Sequence, residues 1–159
     1  MNSKGFSLLE LLVVILITAI LASIGISNWN DIKQRNELTD ITMNLIRFLN
    51  EVKTEANLTN SNLSLFLVTK ADNEWCIAVT NKEIPTDCLT KFHFYGNKKI
   101  TINGLTNATK ISFYGRRNNA ESGTIELTNS IGTTKIIVST RERIRYCSNN
   151  VFLAGFVEC

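Results

Sequence analysis

The chain has 159 residues, 44% of them apolar, and a net charge of +3. This length excludes several large domains and suffices for one globular domain plus an extension. The charge is unevenly placed, since residues 1–90 carry 7 Lys and Arg against 10 Asp and Glu, whereas residues 91–159 carry 10 against 4. The second half therefore presents a basic surface, which indicates either an anionic partner or an excess of charge that is merely solvated.

The apolar residues are concentrated at the N-terminus. Between Phe6 and Ile26 the chain has 21 residues and one ionisable side chain, Glu10. A run of about 20 apolar residues matches the hydrocarbon thickness of a bilayer. A secretory signal peptide with a weak cleavage site at Ala22-Ser23 and a simple membrane anchor both fit this length. Neither gives Glu10 a role, and an ionisable residue in such a segment is a functional candidate by default.

A third interpretation accounts for Glu10. Near its start the chain reads Lys4-Gly5-Phe6-Ser7-Leu8-Leu9-Glu10-Leu11-Leu12. This segment resembles the class III leader junction of type IV prepilins and type II secretion pseudopilins. The resemblance implies a leader of residues 1–5, cleavage between Gly5 and Phe6 by a prepilin peptidase, and N-methylation of Phe6. It also implies that Glu10 pairs with the Phe6 amine of a neighbouring subunit in a filament. A buried carboxylate is tolerated beside such a cation.

The apolar run continues into an amphipathic pattern. Apolar residues recur at helical spacing, and they are Leu38, Ile41, Leu45, Phe48, Leu49, Val52 and Ala56. We expect one helix from about Phe6 to about Leu58, roughly 80 Å long. Its part at 6–28 would serve the membrane and then the filament core, its part at 29–58 would pack on a head domain, and Trp29 would lie at the membrane interface. Many relatives have Pro where this chain has Ser27, so melting of the helix near Gly25-Ser27 is left open.

Short β-rich runs alternate with turn residues in the remainder, 61–159. The predicted strands are Leu63–Thr69, Trp75–Thr80, Lys91–Tyr95, Lys99–Ile102, Lys110–Tyr114, Thr124–Thr128, Thr134–Ser139 and Arg143–Cys147. With no second helix, this pattern predicts an antiparallel sheet. The fold class is therefore α+β, with one long N-terminal helix packed on a β-rich globular head that spans 29–159.

The four cysteines fall into two pairs, each with eleven residues between its members. The spacing does not match a zinc site, so we expect no metal. An even count beyond a membrane segment indicates an oxidising compartment and two disulfides. Of the three pairings, the local one is favoured because short loops close at least entropic cost, and it joins Cys76 to Cys88 and Cys147 to Cys159.

Catalytic motifs are not found in the sequence. The single histidine, His93, lies in a strand-like run and is more typical of an ordinary strand residue than of a catalyst. No GxSxG, HExxH or phosphate-loop pattern occurs. We therefore expect no enzyme activity, no cofactor and no small-molecule substrate.

Three arginines alternate near the C-terminus, at Arg141, Arg143 and Arg145. In an extended chain they would share one face at a spacing of about 7 Å, and guanidinium groups bind phosphates well. Double-stranded DNA would then be held by its backbone, with a steep dependence on salt. The alternative is an edge strand that charge protects from aggregation. Five further basic residues could extend this surface, and they are Lys98, Lys99, Lys110, Arg116 and Arg117.

Four segments of the C-terminal half carry a second resemblance: Phe113-Tyr114-Gly115-Arg116, Gly123-Thr124-Ile125-Glu126-Leu127, Lys135-Ile136-Ile137-Val138-Ser139 and Arg143-Ile144-Arg145-Tyr146-Cys147. They are similar to the FimT/GspH family of pilin-like proteins. In FimT-type minor pilins of naturally competent bacteria, a Gly-Arg-x-Arg motif is implicated in DNA capture. Here Glu142 replaces the glycine, which removes a backbone freedom and places an acid beside the arginines.

Together, the two resemblances imply a minor pilin of a type IV pilus that supports assembly and binds DNA through the arginines during natural transformation. The implied partners are the prepilin peptidase, other major and minor pilins, and the inner membrane. The chain would be a single-pass inner-membrane protein with a periplasmic head before assembly, and part of a cell-surface pilus afterwards. The alternatives are a minor pseudopilin of a type II secretion system and an anchored domain that never polymerises.

Overall fold

The computed structural model describes residues 7–81, 84–106 and 110–159, apart from the side chains of 24–28, 71 and 104–106. Its first element is a helix, α1, at Leu8–Thr59. This is the long helix predicted from the sequence, and it is about 78 Å long at 1.5 Å per residue. It stays helical through Gly25 and Ser27. It ends at Asn60, which adopts a left-handed conformation with φ 50°.

In the described residues ten strands follow α1, with one short 3-10 turn at Ala71–Asn73. The strands are β1 Asn62–Thr69, β2 Trp75–Thr80, β3 Phe92–Tyr95, β4 Thr101–Thr106, β5 Lys110–Tyr114, β6 Asn119–Ala120, β7 Gly123–Asn129, β8 Gly132–Val138, β9 Ile144–Asn149 and β10 Val157–Glu158. Each of the eight predicted strands has a counterpart, although β4 begins two residues later than expected. β6 and β10 were not predicted, because two residues are too few to show an alternating pattern.

The strands form two sheets of five. One has the order β3-β2-β1-β5-β6 and the other the order β10-β9-β8-β7-β4. All pairs are antiparallel except β9 and β10, which run parallel. The α+β class, with one long helix on a largely antiparallel head, is therefore confirmed.

The core forms where the C-terminal half of α1 meets both sheets. Leu38, Leu45, Leu49, Val52 and Ala56 are fully buried. They share one cluster with residues of β5, β7 and β8, among them Ile111, Phe113, Ile125, Leu127 and Ile136. Burying each large apolar side chain stabilises the fold by about 1.5–3 kcal/mol. The predicted amphipathic stripe is thus the surface of the helix that packs on the head.

The structure joins Cys76 to Cys88 and Cys147 to Cys159, which is the pairing favoured by loop length. The first bond fastens the connection between β2 and β3 to β2. The second fastens the last residue of the chain to β9, beside the β9–β10 pair. Each bond therefore ties an irregular segment to a strand.

The helix gives the head two distinguishable ends. Near Gln34 and Glu37 the helix enters the head, and we call this the proximal end. There Asn129 Nδ2 donates to Gln34 O at 3.0 Å and Lys99 lies 3.2 Å from Glu37. At the C-terminus of α1, which we call the distal end, Gly115 N donates to Ser61 O at 3.1 Å. The two ends are roughly 35 Å apart along the helix.

Candidate functional site: the apolar helix and the arginine surface

The N-terminal half of α1 lies outside the head and exposes its apolar side chains. The large exposed residues here are Leu8, Leu9, Leu11, Leu12, Val13, Val14, Ile15, Leu16, Ile17, Ile20 and Leu21. Hydroxyls do not interrupt this surface, because Thr18 and Ser23 bond back to Ile15 O and Ile20 O. Among the described residues, no helical stretch reaches the length and apolarity needed to cross a membrane.

Glu10 is the single ionisable residue of this surface between Leu8 and Asn30. It is exposed, two residues after the helix begins. A carboxylate in the first turn also suits the positive end of the helix dipole. Gly5 and Phe6, where cleavage and methylation are expected, lie outside the described residues. The chain therefore offers a long apolar rod with one negative charge near its end.

The arginines near the C-terminus are held by the turn that connects β8 to β9. Glu142 N donates to Ser139 O at 2.9 Å, and Ser139 N donates to Arg143 O at 3.0 Å. Glu142 itself has φ 55°. A turn followed by one left-handed residue is a common way to join two antiparallel strands, and glycine is usually found at that residue.

This turn corrects one expectation about the arginines. The chain reverses at Thr140–Glu142, so Arg141 lies on the turn rather than in an extended row. Arg143 and Arg145 are both exposed, and Ile144 between them packs against the core. Alternation therefore places Arg143 and Arg145 on the outer face of the sheet, about 7 Å apart. Arg141 stands beside them on the turn.

Glu142 does not place its acid among these arginines. Its side chain is only 4% exposed, and Asn57 Nδ2 of α1 donates to its Oε2 at 2.9 Å. Lys53 Nζ donates to its backbone oxygen at 3.3 Å. The carboxylate is therefore turned inward to the helix, a role that the sequence alone did not reveal.

Two of the three predicted lysines, Lys98 and Lys99, differ from the arginines in being paired. Lys98 lies 2.7 Å from Glu74, and Lys99 lies 3.2 Å from Glu37. The hydrogen bond from Lys98, together with its charge, holds the pKa of Glu74 below its usual range. Both lysines are at the proximal end, so the structure does not bring them to the arginine turn. Lys110 begins β5, opposite Phe66 of β1, and is only half-buried.

Arg116 and Arg117 do lie at the distal end with the arginine turn. They occupy the connection between β5 and β6, where Gly115 bonds to Ser61. The two connections are neighbours because Ala120 N donates to Thr140 O at 2.9 Å. We call the exposed group at this end the arginine surface, and it consists of Arg116, Arg117, Arg141, Arg143 and Arg145. In the part of the chain that the structure describes, none of these five forms a salt bridge.

Comparison with known proteins agrees with this architecture. Residues 1–26 match the family described as the prokaryotic N-terminal methylation motif. No curated protein is significantly similar in sequence. The crystal structure of the type IV minor pilin FimU of Pseudomonas aeruginosa (strain PAO1) is similar, with a TM-score of 0.53 and 15% sequence identity over 70% of this chain and 89% of FimU. The chain thus combines a prokaryotic N-terminal methylation motif with a fold similar to that of a type IV minor pilin.

Proposed function

We propose that the chain is a minor pilin that enters a type IV pilus and supports its assembly. The observation that carries this proposal is the exposed apolar half of α1, which the head does not cover. Exposed apolar area of this extent is unfavourable in water by about 25 cal/mol per Å². A bilayer before assembly, and the helices of other pilins afterwards, would each bury it. The methylation motif and the fold shared with FimU support the same conclusion.

Processing and assembly follow from the start of the chain. A prepilin peptidase would cut between Gly5 and Phe6 and leave a new amine, which is then methylated. In the filament this amine, on a neighbouring pilin, would face Glu10. A charge pair in an apolar environment stabilises the contact only when both partners are present, and a lone buried carboxylate costs several kcal/mol. Glu10 therefore favours a neighbouring pilin whose Phe6 amine lies directly beside it in the filament.

Replacement of Glu10 tests this role. Glu10→Ala should leave the amount of membrane-bound protein unchanged and lower its amount in sheared filaments at least fivefold. The matched control is Glu51→Ala, which removes an exposed acid from the same helix within the head. Normal incorporation of Glu10→Ala would contradict the proposed pairing.

A second activity, binding of double-stranded DNA, is favoured by the arginine surface. Four lysines of the described chain are neutralised in salt bridges, whereas these five arginines are not. The surface lies at the end of the head that is opposite to the apolar rod, so a subunit anchored by its helix would present it outward. Unpaired guanidinium groups at this spacing suit backbone phosphates. A minor pseudopilin of a secretion system would not need this binding, so DNA affinity separates the two alternatives.

A further inference from the structure

An exposed phenylalanine stands at the proximal end of the head. Phe152 is 81% exposed, whereas the next residue, Leu153, is 3% exposed and belongs to the core. A single exposed apolar residue is ordinary, whereas a contiguous apolar surface marks an interaction site. The meaning of Phe152 therefore depends on whether the loop at 150–156 is held in place and on what lies beside it.

Several contacts fix this loop. Arg35 Nη1 donates to Phe152 O at 2.7 Å, and Phe156 N donates to Leu153 O at 3.1 Å. The Phe156 ring packs on Tyr146 with a centroid distance of 4.9 Å. The bond between Cys147 and Cys159 then closes the tail on β9. Phe152 thus belongs to a loop whose backbone is held in place by these contacts.

Exposed apolar residues of the helix lead toward this loop. Ile32 lies three residues before Arg35 and within about 60° of it around α1, and Trp29 lies about 60° beyond Ile32 and nearer to the apolar run. Lys33 and Arg35 supply two positive charges here against Asp31 and Glu37, and Glu37 is already paired with Lys99. Among the described residues, neither cation is in a salt bridge. Aromatic rings flanked by cations are typical of a protein surface at the lipid headgroup layer.

We propose that the proximal end docks on a phospholipid surface, with Phe152 inserted at the headgroup layer beside Trp29. This inference rests on the proposed membrane insertion of the apolar helix. Arg35 lies nine residues beyond the end of the apolar run at Ile26, or about 14 Å along the axis. The loop lies roughly 10 Å from that axis, given a helix diameter of about 10–12 Å. A tilt of about 40° toward this loop, the upper end of the range for membrane helices, brings the loop to roughly 4 Å above the apolar run, within a headgroup layer about 5–8 Å thick.

The two tryptophans of the chain allow a direct test, because Trp75 is 4% exposed and inside the core. The mature chain is reconstituted in phosphatidylethanolamine–phosphatidylglycerol vesicles whose acyl chains carry bromine near the headgroups. Quenching of tryptophan fluorescence then reports contact with lipid. The Trp29→Phe variant gives the background from Trp75. Trp29→Phe/Phe152→Trp carries the probe, and Trp29→Phe/Leu58→Trp is the matched control, since Leu58 is 76% exposed and lies in the last turn of α1, at the distal end.

We expect Trp29 in the wild-type chain and the tryptophan at 152 to be quenched, the second at least half as strongly as the first, and the control at 58 to stay near background. Quenching of Trp29 without quenching at 152 overturns the docking proposal and leaves membrane insertion intact. Absence of quenching at both positions overturns membrane insertion as well. A blue shift at 152 that needs a high protein-to-lipid ratio and is insensitive to bromine identifies a second copy of the chain as the occupant, which also overturns the proposal.

Discussion

Asn57, near the end of α1, donates from Nδ2 to Oε2 of Glu142 at 2.9 Å, across 85 residues of sequence. The contact joins the helix to the turn that carries Arg141 and Arg143. It also explains how a glutamate occupies a left-handed position, which costs a residue other than glycine about 1–2 kcal/mol. The hydrogen bond and the nearby Lys53 ammonium offset that cost and fix the turn on the helix.

Removing the donor, Asn57, should therefore lower the free energy of unfolding more than removing the acceptor, Glu142. Asn57→Ala leaves a buried carboxylate without its partner and should lower the free energy of unfolding by about 1–3 kcal/mol. Glu142→Gly removes the same bond but relieves the backbone, so its cost should be under about 1 kcal/mol. Urea unfolding of residues 30–159, which contain every core residue of the head, measures both.

The double variant Asn57→Ala/Glu142→Gly completes the test. In the Glu142→Gly background there is no buried carboxylate that could lose its partner. Asn57→Ala should therefore lower the free energy of unfolding only slightly in this background. Asn50→Ala is the matched control, because Asn50 is exposed on the same helix and bonds only to the helix backbone. Strictly additive costs for the two changes would show that the contact does not couple helix and turn.

Gly115 should not tolerate a side chain. A Cβ there would lie 1.9 Å from Ala56 O and 2.8 Å from Ser61 O, and both are backbone atoms that cannot rotate away. Gly115→Ala must therefore push the β5–β6 connection off the end of α1, at a cost of roughly 2–3 kcal/mol in the free energy of unfolding. Urea unfolding of the same head domain measures the loss.

The control for Gly115 is Gly155, which has φ 83° but no atom within 4 Å of a built Cβ. Gly155→Ala should show only the backbone strain, about 1–2 kcal/mol. A Gly115→Ala protein that unfolds at the wild-type urea concentration would mean that the two backbones do not approach as closely as the structure has them.

Much of the fold follows from the sequence, because its signals are local. The helix carries a long run without Pro and a clear stripe of buried residues, and each strand of four or more residues shows its apolar pattern. The disulfides follow from loop length. β6 and β10 could not be predicted, since they exist only through pairing with β5 and β9.

The arginine surface was harder to predict than the fold. The alternation of Arg141, Arg143 and Arg145 suggested one extended row, but the reversal at Thr140–Glu142 depends on hydrogen bonds that have no sequence signature. The inward turn of Glu142 depends on Asn57, which is distant in sequence. A glutamate at a position where the family resemblance expects glycine was the one available signal that the backbone there is unusual.

The bond between Cys147 and Cys159 should hold the tail in place. The variant Cys147→Ser/Cys159→Ser removes a loop closure whose entropic contribution is about 3 kcal/mol for a loop of this length. We expect faster proteolysis within residues 150–159 in this variant, with the helix and the β1–β2–β5 pairing retained. Cys76→Ser/Cys88→Ser is the matched control, and it should expose the β2–β3 connection instead. Equal proteolysis of the tail in both variants would contradict a local role for each bond.

The affinity for DNA should depend on Arg143 and Arg145. Removing these two arginines should also make the affinity less sensitive to salt. Each phosphate contact contributes about −0.9 to the slope of log affinity against log salt. The Arg143→Gln/Arg145→Gln head domain should therefore bind a short duplex more weakly, with a slope that is smaller by about 2. Fluorescence anisotropy across several salt concentrations gives both quantities.

The matched control for this experiment removes the same charge at the opposite end. Lys98→Gln/Lys99→Gln deletes two cations that are already paired with Glu74 and Glu37, so the slope should stay at the wild-type value. If the lysine variant loses as much slope as the arginine variant, binding follows net charge and the arginine surface has no special part in it. If neither variant changes the affinity, the DNA proposal fails, and the pilin role, which depends on Glu10 and the apolar helix, is unaffected.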